Sequence, residues 1–194
     1  MVNILAFSGS TRHASFNQQL LDIAVAGALT AGAQVTAINL RDYPLPIYNQ
    51  DLEATEGIPE NALALKQLMM THQGLLIASP EYNGFPSALL KNTFDWISRP
   101  QASDVQPLVA FQGKVAALMA ASPGGGGGTR GLVCLRMLMQ NLGVLALPQQ
   151  ITVPAAMKAF DAQGQLIDAQ AQTAALGLGA TLTDSLTRLA RHDG

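Results

Sequence analysis

The stretch Val2-Asn3-Ile4-Leu5-Ala6-Phe7-Ser8-Gly9-Ser10-Thr11-Arg12-His13-Ala14-Ser15-Phe16-Asn17-Gln18 decides the fold. Its first seven residues form a short apolar run of the kind a strand buried on both faces requires. Gly9 breaks the run, and a polar turn leads to Ser15. Ser15-Phe16-Asn17-Gln18 matches a capping box, in which serine and glutamine side chains satisfy free amides at a helix start. The spacing predicts a helix over 15–31, with Gly32 in the left-handed position just past its end.

The same alternation continues along the chain. Strands are expected at about 34–40, 74–79, 114–122 and 144–153. Helices are expected at about 60–70, 87–98, 129–142 and 169–191. A long loop containing Pro44, Pro46 and Pro59 follows the second strand, and a loop of that length in a compact domain is more often functional than idle. Strands alternating with helices imply a parallel sheet covered on both faces. The expected fold is therefore α/β, a flavodoxin-like three-layer sandwich with a five-stranded parallel sheet in the order 2-1-3-4-5. No repeat or linker divides the chain, so residues 1–194 are read as one domain.

Bulk properties narrow the function. Of 194 residues, 48% are hydrophobic and 12% charged, with a net charge of −2. Such a balance gives no electrostatic reason to bind nucleic acid or an anionic membrane. No apolar run approaches the roughly 20 residues needed to span a bilayer. One cysteine, Cys134, precludes an internal disulfide and fits the cytoplasm. Set in a helix among Leu132, Val133, Leu135 and Met137, it reads as a small buried apolar residue. His13, His72 and His192 have no ligand-like spacing, so no metal is expected. No G-x-S-x-G elbow supports a serine hydrolase.

Three loops carry the chemistry, each just after a strand. Strands 1, 3 and 4 are neighbours in the expected order, so their loops should converge where such sheets bind ligands. The first loop, Gly9 to Asn17, enters a helix N-terminus. Free amides, three hydroxyls and Arg12 suit a phosphate there, although Ser15 as a plain cap and Arg12 as a solvated charge would read the same. The second is Pro80-Glu81-Tyr82-Asn83-Gly84, where Asn83-Gly84 signals a turn and Tyr82 can cover a flat ring. Leu90-Lys91-Asn92-Thr93-Phe94-Asp95-Trp96 follows it, with Trp96 read as core. The third is Ser122-Pro123 with Gly124 to Gly128. Gly126, Gly128 and Gly131 match G-x-G-x-x-G, but after the fourth strand and with no acid between Asp104 and Asp161, which argues against a dinucleotide fingerprint.

Together these segments resemble the NAD(P)H-dependent FMN reductase family of flavodoxin-like quinone, azo-dye and chromate reductases. The marks are Gly9-Ser10-x-Arg12-x-x-Ser15-x-Asn17, Pro80-Glu81-Tyr82-Asn83 with Leu90-Lys91-Asn92-x-x-Asp95-Trp96, and Ser122-x-Gly124-Gly125, over about residues 2–154. The chain departs at Ser87-Ala88, where family members often carry Pro-Gly. The resemblance implies that Ser10, Arg12, Ser15 and Asn17 hold the FMN phosphate. It implies that Pro80, Glu81, Tyr82, Asn83, Gly84, Ser122, Gly124 and Gly125 line the isoalloxazine ring. It also implies NADPH or NADH as reductant, a small-molecule electron acceptor and a homodimer or homotetramer. Two readings from other classes remain beside this enzyme: a flavodoxin-type one-electron carrier, and a non-catalytic flavin-binding redox module.

Overall fold

The computed structural model describes residues 1–192. Five strands form one parallel sheet: β1 Asn3–Ser8, β2 Gln34–Asn39, β3 Gly74–Ala78, β6 Val115–Ala121 and β7 Leu145–Val153. Their order is β2-β1-β3-β6-β7. The labels β4, Glu81–Tyr82, and β5, Phe85–Pro86, belong to a separate two-stranded hairpin. With the hairpin set aside, the sheet has the expected 2-1-3-4-5 order.

Among the described residues six α-helices accompany the strands: α1 Phe16–Thr30, α2 Gln50–Glu56, α3 Glu60–Thr71, α4 Ala88–Ile97, α5 Thr129–Asn141 and α6 Ala169–His192. The central strands are apolar on both faces because helices cover both. Ile4, Ala6, Leu76, Ala78, Ala117 and Met119 face one core, shared with Leu20, Leu21 and Ile23 of α1 and Leu178 and Leu182 of α6. Leu5, Phe7, Leu75, Ile77, Ala116 and Leu118 face the other, with Leu65 of α3, Phe94 and Trp96 of α4 and Leu132 of α5. Every residue of β3 and β6 is buried. Among the described residues, no helix is long and apolar enough to cross a membrane.

Two local expectations need correction. Ser15 caps α1 through its side chain onto the Gln18 amide, but the Gln18 side chain donates to Asp22 and not back to the cap. The capping box is thus half formed, because the Gln18 side chain is turned along the helix to Asp22. The proline-broken loop after β2 also contains the short helix α2, capped by Asn49 on the amides of Asp51 and Leu52 and ended by Gly57. No residue of α2 is buried, so it leaves no apolar period to detect.

Candidate functional site

The loops after β1, β3 and β6 converge at the carboxyl end of the sheet. Ladder-like bonds hold them there: the Gly9 amide donates to the Ala78 carbonyl at 2.8 Å and the Ser79 amide to Met119 at 2.9 Å. Asn17 adds a side-chain tie. Its Nδ2 donates to the Ala121 carbonyl and its Oδ1 accepts the Ala121 amide, both at 2.9 Å. The first loop is thereby fixed to the end of β6, across 104 residues of sequence. One Nδ2 hydrogen is left over for another acceptor.

A cavity of about 150 Å³ opens between the three loops. Ser10, Arg12, Ser15 and Asn17 line it from the first loop, Pro80, Glu81 and Tyr82 from the second, and Ser122 from the third. A second cavity of about 300 Å³ adjoins it, walled by Gly124 to Gly128, Thr129 and Arg130. Glu81 and Ser122 line both. Of the twelve residues expected at the site, only Asn83 and Gly84 line neither cavity. They form the turn of the hairpin, both with positive φ, 54° and 84°, as the tight turn linking two short antiparallel strands requires.

Donors cluster at one end. Ser10 and Ser15 are buried. The Phe16 and Asn17 amides, first in α1, make no hydrogen bond within the protein, as expected of a helix start. The Arg12 guanidinium lies 5.9 Å from the Phe16 ring centroid, and no carboxylate pairs with it among the described residues. At the other end the wall is bare backbone. A Cβ on Gly125 or Gly126 would meet nothing within 4 Å. This donor set and this open glycine wall fit a phosphorylated molecule with a flat polar ring such as FMN.

Glu81 is not the free turn residue its place in the sequence allows. Its carboxylate accepts the Gly131 amide at 2.9 Å and pairs with Arg130 at 2.8 Å. The Gly131 amide, and then Arg130, hold its pKa below the usual carboxylate range. Glu81 therefore caps the N-terminus of α5.

Several residues have contacts that the motifs did not disclose. Arg41, just after β2, reaches back over the first loop. Its Nε donates to the Thr11 carbonyl at 2.9 Å, its Nη2 donates to the same oxygen, and its Nη1 lies 3.0 Å from His13 Nδ1. Its only sequence signal is its place at the end of the strand beside β1. Asn92 and Trp96 hold the proline loop: Asn92 Nδ2 and Trp96 Nε1 each donate to the Pro46 carbonyl at 2.8 Å. Ser87, at the departure from the family pattern, caps α4 on the Leu90 amide. Cys134 is half-buried, its Sγ 3.7 Å from the Gly84 carbonyl. It faces the hairpin rather than the core, which corrects the reading of it as buried. A groove of about 530 Å³ between the end of β7 and the start of α6 contains none of the expected site residues.

Comparison with known proteins gives a consistent result. The family described as NADPH-dependent FMN reductase matches residues 2–158. A Pseudomonas aeruginosa protein named NAD(P)H-dependent FMN reductase is 34% identical over 172 residues, covering 88% of each chain. An Arabidopsis thaliana NADPH:quinone oxidoreductase is 36% identical over 174 residues, covering 87% of this chain and 83% of the relative. Among solved structures, a flavoenzyme NAD(P)H:(acceptor) oxidoreductase from Paracoccus denitrificans superposes with a TM-score of 0.75 at 26% identity, covering 95% of this chain and 96% of that one.

Proposed function

Because the chain belongs to the NADPH-dependent FMN reductase family, and is thus an oxidoreductase working with FMN and NAD(P)H, we propose that it holds FMN noncovalently and serves a small acceptor. That acceptor is a quinone, an azo compound or a metal oxyanion. Bound FMN would supply the chemistry, acceptance of hydride from the nicotinamide and its return as an electron pair to the acceptor.

The observation that carries this reading is the joining of two cavities with opposite walls, one rich in donors and one of bare glycine backbone. Ser10, Ser15, the Arg12 guanidinium and the first amides of α1 would bind the phosphate. Asn17 fixes that loop to β6 and has one N–H to add. Pro80 and Tyr82 would cover the ring, with Asn83 and Gly84 shaping the hairpin that presents them. Ser122, Gly124 and Gly125 would let backbone approach the ring closely. Glu81 orients the hairpin against α5 and is assigned no proton transfer.

Tyr82, Phe85, Val133 and Met137 are each more than half exposed, on the hairpin and the adjacent face of α5. An apolar patch of this kind beside a site suits a subunit contact. We assign the chain one domain, a cytoplasmic setting and a homodimeric or homotetrameric state, which sedimentation at micromolar concentration checks.

The experiment for the function is a visible spectrum of the purified protein, followed by steady-state NADPH oxidation with 1,4-benzoquinone. A flavin spectrum with parallel double-reciprocal lines is expected, since reductant and acceptor would use one pocket in turn. A bound flavin with negligible NADPH oxidation would instead favour a carrier.

A further inference from the structure

The geometry points to Arg130 as the residue that receives a phosphate of the pyridine nucleotide. The inference rests on the function proposed above and assigns that function's reductant a specific contact.

Arg130 stands on the rim of the 300 Å³ cavity, beside Thr129 and the glycine wall. Its side chain is 81% exposed, although it pairs with Glu81. The other basic groups near the two cavities are engaged elsewhere. Arg12 lines the smaller cavity and lies over Phe16, and Arg41 is tied to Thr11 and His13. Arg130 is the basic side chain on the larger cavity.

Its pair with Glu81 leaves part of the guanidinium over. Glu81 Oε1 accepts Nε at 3.1 Å and Nη2 at 2.8 Å, and no bond engages Nη1 among the described residues. The Glu81 side chain, only 11% exposed, keeps this pair, its bond from the Gly131 amide at 2.9 Å and its place at the α5 N-terminus. Nη1 can therefore give a phosphate a charge-assisted bond while Glu81 stays in place. The surroundings do not oppose it: no Asp or Glu occurs from residue 105 through 160, and among the described residues Glu81 is the only acid on either cavity. Gly125 and Gly126 leave open space where side chains would otherwise stand, so a bulky dinucleotide can approach Arg130.

The phosphate belongs either to the pyrophosphate bridge of the nucleotide or to the 2′-phosphate of NADPH. Both present the same chemistry to Arg130, and the choice of reductant separates them. The test compares three hydride donors on the flavin-loaded enzyme, with 1,4-benzoquinone as acceptor: NADPH, NADH, and 1-benzyl-1,4-dihydronicotinamide, which carries no phosphate. The readout is the ratio of kcat/KM for each nucleotide to that for the phosphate-free donor. Taken on one preparation, this ratio cancels any loss of folded or flavin-loaded protein.

Arg130→Ala is expected to lower the NADPH ratio about ten-fold or more, the usual scale of a lost charge-assisted contact. Arg130→Lys should restore part of it. An equal fall for NADPH and NADH identifies the pyrophosphate, and a fall for NADPH alone identifies the 2′-phosphate. An unchanged ratio for both nucleotides in Arg130→Ala overturns the assignment and leaves the reductase reading intact. Oxidation of none of the three donors by the wild-type flavoprotein overturns both.

Discussion

The Glu81 carboxylate accepts the Gly131 amide at 2.9 Å, joining the hairpin after β3 to the first turn of α5. The contact is close enough to restrict position 131: a Cβ there would lie 3.2 Å from Glu81 Cβ and Cγ. Two segments that flank the candidate site are thus tied together.

That contact makes a pH-dependent prediction. Glu81 has a folded pKa below the usual range, so it adds stability above the unfolded pKa and loses it as pH falls through the folded value. Glu81→Gln should therefore lower stability at pH 7 by about 1 kcal/mol, the scale of a charge at a helix N-terminus. The gap from wild type should close below about pH 4, near the ordinary carboxylate value. Denaturant melts across pH check this, and a gap independent of pH would remove the charge from the explanation.

Lys114 predicts a second rise of stability with pH, in the alkaline range. It lies buried before β6, its Nζ donating to the His72 carbonyl at 2.6 Å, and burial pushes its pKa down to about 8. The unfolded chain then holds more protons than the folded one between about pH 8 and the ordinary lysine value near 10.4. Unfolding free energy should rise with pH across that window. In Lys114→Met the rise should be reduced, as measured by denaturant melts at pH 7.5, 9 and 10.

The packing of α1 on α6 depends on two glycines. A Cβ on Gly27 would collide with the Leu176 carbonyl, and one on Gly179 with that of Ala24. Backbone cannot step aside as a side-chain tip can. Gly27→Ala should cost about 1–3 kcal/mol despite the better helix propensity of alanine. A thermal melt no lower than wild type would show that these helices can separate without loss.

Asn92 predicts a local effect. It donates to Pro46 and accepts the Tyr48 amide at 2.8 Å. Asn92→Ala removes both bonds, with a cost of about 1–3 kcal/mol. Hydrogen exchange should quicken at Tyr48 and its neighbours before it does in β3 or β6.

The sheet order was legible because β3 and β6 carry no polar side chain, β1 carries them only at its ends, Asn3 and Ser8, and the loops carry the rest. The three loops could be placed together from strand order alone. The bonds that set their spacing could not, because Asn17 meets Ala121 across 104 positions and Arg41 meets Thr11 across 30. Neither pair shares a period or a motif. Glu81 looked like a turn residue because its partners, Arg130 and Gly131, lie some fifty residues on, past another strand. Helix α2 was hidden for a different reason. In Gln50-Asp51-Leu52-Glu53-Ala54-Thr55-Glu56 the one large apolar residue is Leu52, so only Asn49 and Gly57 marked its ends.

The most direct test of the account is a calorimetric titration of the apoprotein with FMN and with riboflavin, in wild type and in Arg12→Ala. If the loop between β1 and α1 holds the phosphate, Arg12→Ala weakens FMN by about ten-fold or more and leaves riboflavin affinity unchanged. Equal loss for both ligands, or no loss for either, would contradict the placement of the FMN phosphate on that loop.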